Sequence, residues 1–267
     1  MRAHIYTALL MGFRSHSFHI LLVLTILVLG VAILAADFSG RGPATIIADI
    51  GFSGLRMTLT LMALFWVQEL LAKDIEGRAL VHTLSFPQTR ASYLLGRYLG
   101  ITVLIGIATL AAGGLLLLAV SLNPVTYSQA TPLHLGWPVV WAMLYLLVDV
   151  LTVTAFAVLI ATLSTTAFLT LLVGLGFAII THALGPLADF MRFSPQADEI
   201  QQASLGPIIE TALLLLPDLD QLDLRDGFLY GAQIDWREVH MALFRSLIYA
   251  ALCFFGAVHL FNRREFS

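Results

Sequence analysis

The chain is 267 residues long, 59% apolar and only 12% charged, with a formal net charge of −3 and a mean hydropathy of +0.89. A soluble domain of this size cannot clothe its surface with so little charge, so the sequence describes an integral membrane protein. The single cysteine, Cys253, excludes an intrachain disulfide and a cysteine-based metal site.

From the N-terminus, residues 1–17 mix Arg2, His4, Arg14 and His16 with Tyr6, Leu9, Leu10 and Phe13, which helical spacing gathers on one face. They read as an amphipathic helix in the inner membrane interface, or else as a cytoplasmic extension of the first span. A hydrocarbon core about 30 Å thick asks for roughly 20 apolar residues per helix. Six stretches within 18–267 approach that length: 18–36, 51–72, 98–122, 137–161, 167–187 and 241–261. The first is too long for the apolar part of a cleavable signal, and no small-x-small site follows it, so it is expected to be retained. The predicted fold is all-α, with six transmembrane helices.

Basic residues in short loops stay in the cytoplasm. With both termini inside, Arg2, Arg14, Lys73, Arg78, Arg90, Arg97, Arg263 and Arg264 fall on that side, against Arg41, Arg192, Arg225 and Arg237 outside. Trp137, Trp141 and Trp236 then form an outer aromatic belt.

The loop 69–97 holds the only lysine, Lys73, among Glu69, Asp74, Glu76, Gly77, Arg78, Pro87, Arg90 and Arg97. The stretch 188–240 is acidic, with Asp189, Asp198, Glu199, Glu210, Asp218, Asp220, Asp223, Asp226, Asp235 and Glu238. Inside it, 208–216 is an apolar piece bounded by Gly206-Pro207 and Pro217-Asp218. It is too short to cross and is therefore a re-entrant half-helix or a helix on the outer surface. The acids suit either a solvated loop or an outer lid that receives a partner.

Chemistry is sparse. Lys73 follows Leu70-Leu71-Ala72, so the chain has no P-loop. Its eight histidines are scattered, and neither a Gly-x-Ser-x-Gly elbow nor a His-Glu-x-x-His helix is present. No catalytic residue, metal or cofactor is expected in this chain, and no nucleic acid as a partner. Ionisable residues inside spans are costly and mark function or a buried pair, and Asp149 and Arg56 are candidates. Asp149 is near the middle of the fourth span, and Arg56 about five residues inside the outer end of the second. Their depths differ by roughly 10 Å, which a long arginine partly bridges. Asp149 is an interhelix tether, part of a transport path or a proton relay. Gly96 and Gly100 have the spacing that lets membrane helices approach closely, which leaves room for a homodimer.

The order Asp74-x-Glu76-Gly77, Leu84-Ser85-x-Pro87-x-x-Arg90 and Leu95-Gly96-Arg97 resembles the loop after the second span in permease subunits of ABC exporters of the ABC-2 type. Arg78 stands where that family commonly has threonine, and Arg97 where it has lysine. The resemblance extends to the N-terminal helix, the six spans, the broken apolar piece before the last span and the basic ending Asn262-Arg263-Arg264. It implies a bacterial inner-membrane assembly of two permeases, here a homodimer, and two cytoplasmic ATPases that bind ATP and Mg. The loop 69–97 would hold a coupling helix, with Glu69, Asp74, Glu76, Gly77, Arg78, Pro87 and Arg90 as its coupling residues. Ile208, Glu210, Leu214 and Pro217 would form an outer gate. The cargo would be a lipid, glycan, drug, peptide or similar solute, and a periplasmic or extracellular accessory protein is a further partner. The rival expectation is a self-sufficient channel or secondary transporter that uses Arg56 and Asp149.

Overall fold

The computed structural model describes residues 2–38, 42–77, 89–123, 133–193 and 199–264, and every regular element among them is helical. A backbone amide in lipid has no water to bond, so each crossing must be a helix that satisfies itself. Six helices are long and apolar enough to cross. They are α2 (His16–Asp37), α3 (Pro43–Val67) with its continuation, α5 (Arg90–Leu122), α6 (Trp137–Leu163), α7 (Ala167–Phe193) and α10 (Trp236–Arg263). Between them lie α4 (Lys73–Glu76), α8 (Glu199–Leu215) and α9 (Arg225–Leu229), with α1 (Arg2–Arg14) at the start. The chain is an all-α, multi-pass membrane protein. Six crossings bring α1 and the last turn of α10 to one end of the bundle, the terminal end; the other is the far end.

Burial separates centre from periphery. The most apolar stretches of α3 and α6 are each 61% buried, against 22% for α2 and α10. Phe52, Leu55, Leu59, Ala63 and Trp66 of α3 meet Tyr145, Val150, Val153 and Ala157 of α6 in the core, with Ile101 and Leu104 of α5 beside them. Hydroxyls on the spans bond their own helices: Thr58, Thr60, Thr152, Thr154 and Thr181 each donate to the carbonyl four residues earlier.

Local signals set the ends. Ser15 caps α2 by accepting from the Phe18 amide at 3.1 Å, and Asp235 caps α10 by accepting from Arg237 and Glu238. Such caps contribute about 1 kcal/mol each. Gly42 takes the left-handed φ of 74° immediately before Pro43, so α3 begins on a proline at its first position. That start lies well before residue 51, where the apolar run begins, because Pro43 and Asp49 dilute the hydropathy without stopping the helix. Arg56 is therefore about 20 Å along α3, and Asp149 about 18 Å along α6, from their far ends. The expected 10 Å mismatch in depth does not exist.

At the terminal end α3 loosens into a π turn over Gln68–Ala72 and resumes as α4, so one 34-residue helical run reaches Glu76. Here α1 lies across α5. A Cβ on Gly100 would sit 2.5 Å from the Ala8 Cβ, so only glycine allows this approach. The Gly96/Gly100 pair is thus buried within the chain, with Gly100 facing α1 and not a second copy. Tyr6, Leu10 and Phe13 of α1 face outward, exposed.

Between α7 and α10 the far end departs from a simple lid. α8 continues helically from Glu199 and packs through Ile209 and Leu213 on Ala188 and Met191 of α7. After Pro217 the chain turns into the bundle, where Leu219, Leu222, Leu224, Phe228 and Leu229 are all buried. The Phe228 ring lies 5.5 Å from Phe52 of α3, and the Phe228 carbonyl accepts from the His134 amide at 3.0 Å.

Candidate functional site

The inserted segment 217–230 ends on a buried network of charge. Arg56 is its hub. Nε donates to Asp149 Oδ2 at 2.8 Å, Nη1 to Asp223 Oδ2 at 2.9 Å and Nη2 to the Leu219 carbonyl at 2.9 Å. The Arg56 side chain is 14% exposed, Asp149 1% and Asp223 9%. One guanidinium from α3 therefore holds α6 and the inserted segment together, and its fork supplies a separate donor for each. Asp220 stands 3.8 Å away as a looser counter-ion.

Arg225 repeats the arrangement nearer the far end. Its Nε lies 3.1 Å from Asp223 Oδ2 and its Nη1 3.3 Å from Asp49 Oδ1, and Nη1 also donates to Ser53 Oγ. On the other side, His182 Nε2 is 3.0 Å from Asp149 Oδ2, while its Nδ1 is 2.6 Å from the Ala178 carbonyl. Both ring nitrogens thus face acceptors. A neutral imidazole has one donor to offer, so its tautomer decides which of the two acceptors it serves. Asp149 Oδ1 is buried with no hydrogen-bond partner among the described residues.

Asp218 completes the seat. Its carboxylate lies against Gly185 of α7, where a Cβ would come within 2.6 Å of Oδ2. It accepts from the Gln221 amide group at 2.9 Å and the Asp220 backbone amide at 3.2 Å. The Leu219 amide donates to the Thr181 carbonyl at 3.2 Å. Burial pushes the Asp218 carboxyl above its ordinary range, with Asp220 and Asp189 adding to the rise against the hydrogen bonds that lower it. Burial raises Asp220 likewise, opposed mainly by Arg56.

A second set of contacts braces the terminal end. Ser17 of α2 donates to Glu69 Oε1 at 2.8 Å, and Lys73 lies 3.8 Å from the same oxygen. Arg97 of α5 reaches Asp74 at 2.7 Å and the Tyr93 hydroxyl donates to it at 2.8 Å. Glu76 Oε2 accepts from the Ala167 amide, 3.2 Å away, at the start of α7, a position where helix N-termini favour carboxylates. Gly77 closes α4 through its amide to the Lys73 carbonyl. Arg90 donates to the Arg264 carbonyl at 2.6 Å, and Arg264 bonds the Thr162 and Ser164 carbonyls at the end of α6. Trp66 of α3 donates to the Gly12 carbonyl of α1 at 3.3 Å.

The residues singled out in the sequence fall into three groups. Arg56 and Asp149 are in direct contact. Glu69, Asp74, Glu76, Gly77 and Arg90 gather at the terminal end, each engaged within the chain; Arg78 and Pro87 lie outside the described residues. Ile208, Glu210 and Leu214 are exposed on α8, away from the network, and Pro217 marks where the chain turns inward. Sequence reasoning missed His182, Asp223, Arg225 and Leu219. The signal for the last three was the run Asp218-Leu219-Asp220-Gln221-Leu222-Asp223-Leu224, whose leucines alternate with acids too regularly for a solvated loop.

Fold and site together define a multi-pass, all-α membrane protein of transporter-like build, closed near its far end by an inserted segment. No protein-family model matches the chain, and no curated protein does.

Proposed function

We propose that the chain is the permease subunit of an ATP-driven exporter of the ABC-2 type, working with a separate cytoplasmic ATPase that docks on the loop 69–97. The observation that carries this reading is the placement of α3. At the terminal end its continuation is fastened to α2 by Glu69, to α5 by Asp74 and to α7 by Glu76. About 20 Å from its far end, Arg56 holds the segment that closes the bundle. A push on α4 would be delivered to three spans at once and would move Arg56 relative to Asp149 and Asp223. The ATPase would supply ATP and Mg binding, and this chain no catalytic group. The terminal end is then cytoplasmic, the far end faces outward, and a second copy completes the permease.

The test is purification from the native membrane followed by ATPase assay. A stoichiometric P-loop ATPase whose coupled activity falls with Glu76→Ala and Arg78→Ala is expected. Unchanged coupling in that double variant would remove the loop from its role. One observation favours a second reading: Arg56, Asp149 and His182 meet inside the spans, where ionisable side chains can line an ion path. Uptake by the lone chain in vesicles under a proton gradient, abolished by Asp149→Asn, would replace the exporter assignment.

A further inference from the structure

Neither network uses the outward face of α10. Arg245 lies nine residues beyond Trp236, about 13 Å along the helix axis, and is exposed. Its neighbours on that face, Phe244, Ile248, Leu252 and Phe255, are exposed apolar residues that suit acyl chains. Among the described residues nothing bonds or pairs with Arg245. A bare guanidinium on a lipid-facing span is costly, so the position calls for an anion.

Helical side chains lean toward the N-terminus, which takes Arg245 back toward the far end. There it joins Trp236, Arg237, His240, Met241 and Phe244 around an open groove of about 600 Å³. Two guanidiniums and an imidazole line this groove together with two aromatic rings and a thioether. The mixture matches an amphiphile. A second copy of the chain fits less well: Asp37 ends α2 at the membrane edge, while Asp149, at a depth comparable to Arg245, is buried.

We infer that this groove binds the phosphate headgroup of an anionic phospholipid from the far-end leaflet, with the acyl chains lying along Phe244, Ile248, Leu252 and Phe255. Arg237 and His240 meet the headgroup at its usual level, and Arg245 draws the phosphate below it. The site is independent of the exporter assignment, since it needs neither an ATPase nor movement.

Native mass spectrometry of the full chain released from phosphatidylcholine nanodiscs containing phosphatidylglycerol tests it. The chain should retain phosphatidylglycerol. Arg245→Leu should lower retention about tenfold, the loss of one charge-assisted contact, and Arg245→Lys should restore part of it. Leucine suits a lipid-facing helix, and an unchanged circular dichroism spectrum will show that the fold survives. Retention unaffected by Arg245→Leu would overturn the proposal. So would equal competition by soluble glycerol phosphate, which would make this a site for free anions. Light scattering that shows a dimer dissociated by Arg245→Leu would overturn it too, and give the face to a second copy.

Discussion

Arg56 meets three acceptors from two separate parts of the chain, and its replacement removes the guanidinium that two buried carboxylates share, leaving Asp149 with His182 and Asp223 with Arg225. Breaking a buried pair this way typically costs about 3–5 kcal/mol, so Arg56→Gln should lower the thermal unfolding midpoint in detergent markedly. Asp149→Leu leaves Arg56 with Asp223 and should cost less. Asp218 and Asp220 make the seating of 217–230 depend on pH. Their carboxyls are raised above the ordinary 3.8 by burial, so the seated segment binds protons that the released segment gives up. Seating should strengthen as pH falls from neutral through the raised values, with no further gain from these groups below 3.8. Amide exchange over 217–230, corrected for the intrinsic rate, measures this, and protection that weakens over the same interval would contradict it. Gly185→Ala should act in the opposite sense by pushing the Asp218 carboxylate from its place.

At the level of elements, α1 is a part of the bundle and not a loose appendage. Gly100→Leu places a branched side chain where Ala8 now packs, and overpacking of this kind costs about 1–3 kcal/mol. The expected result is a released α1, read as faster tryptic cleavage at Arg14; unchanged cleavage would show that α1 is held elsewhere. The spans themselves were legible in the sequence because the bilayer demands length and apolarity, and all six expected stretches lie within the six crossing helices. The start of α3 was not, since hydropathy is blind to a helix that begins on Gly42-Pro43 and carries Asp49. That one boundary hid the match in depth between Arg56 and Asp149. His182 was hidden for another reason: its partner is 33 residues away, and only packing of α7 on α6 brings the two together. The segment after Pro217 was read by its acids, although its leucines decide where it goes. The apolar piece before it packs on α7 through Ile209 and Leu213.

Across the whole molecule, α3 links two regions that the sequence shows as unrelated. Its terminal end is bolted to the carboxylate contacts of Glu69, Asp74 and Glu76, and its middle holds the lock on 217–230. A rigid core transmits displacement between such points because packed interiors do not deform freely. The proposed exporter uses this continuity, with ATP-driven closure of the partner at one end and release of the inserted segment at the other. Spin labels at Leu144→Cys on α6 and Tyr230→Cys beside α9, both at exposed positions and in a Cys253→Ala background, report on that release. In the complex with its ATPase, the distance between the labels should increase on ATP binding, and Glu76→Ala with Arg78→Ala should abolish the change. A distance that ignores nucleotide, or that changes in the lone chain under a proton gradient, would contradict the account.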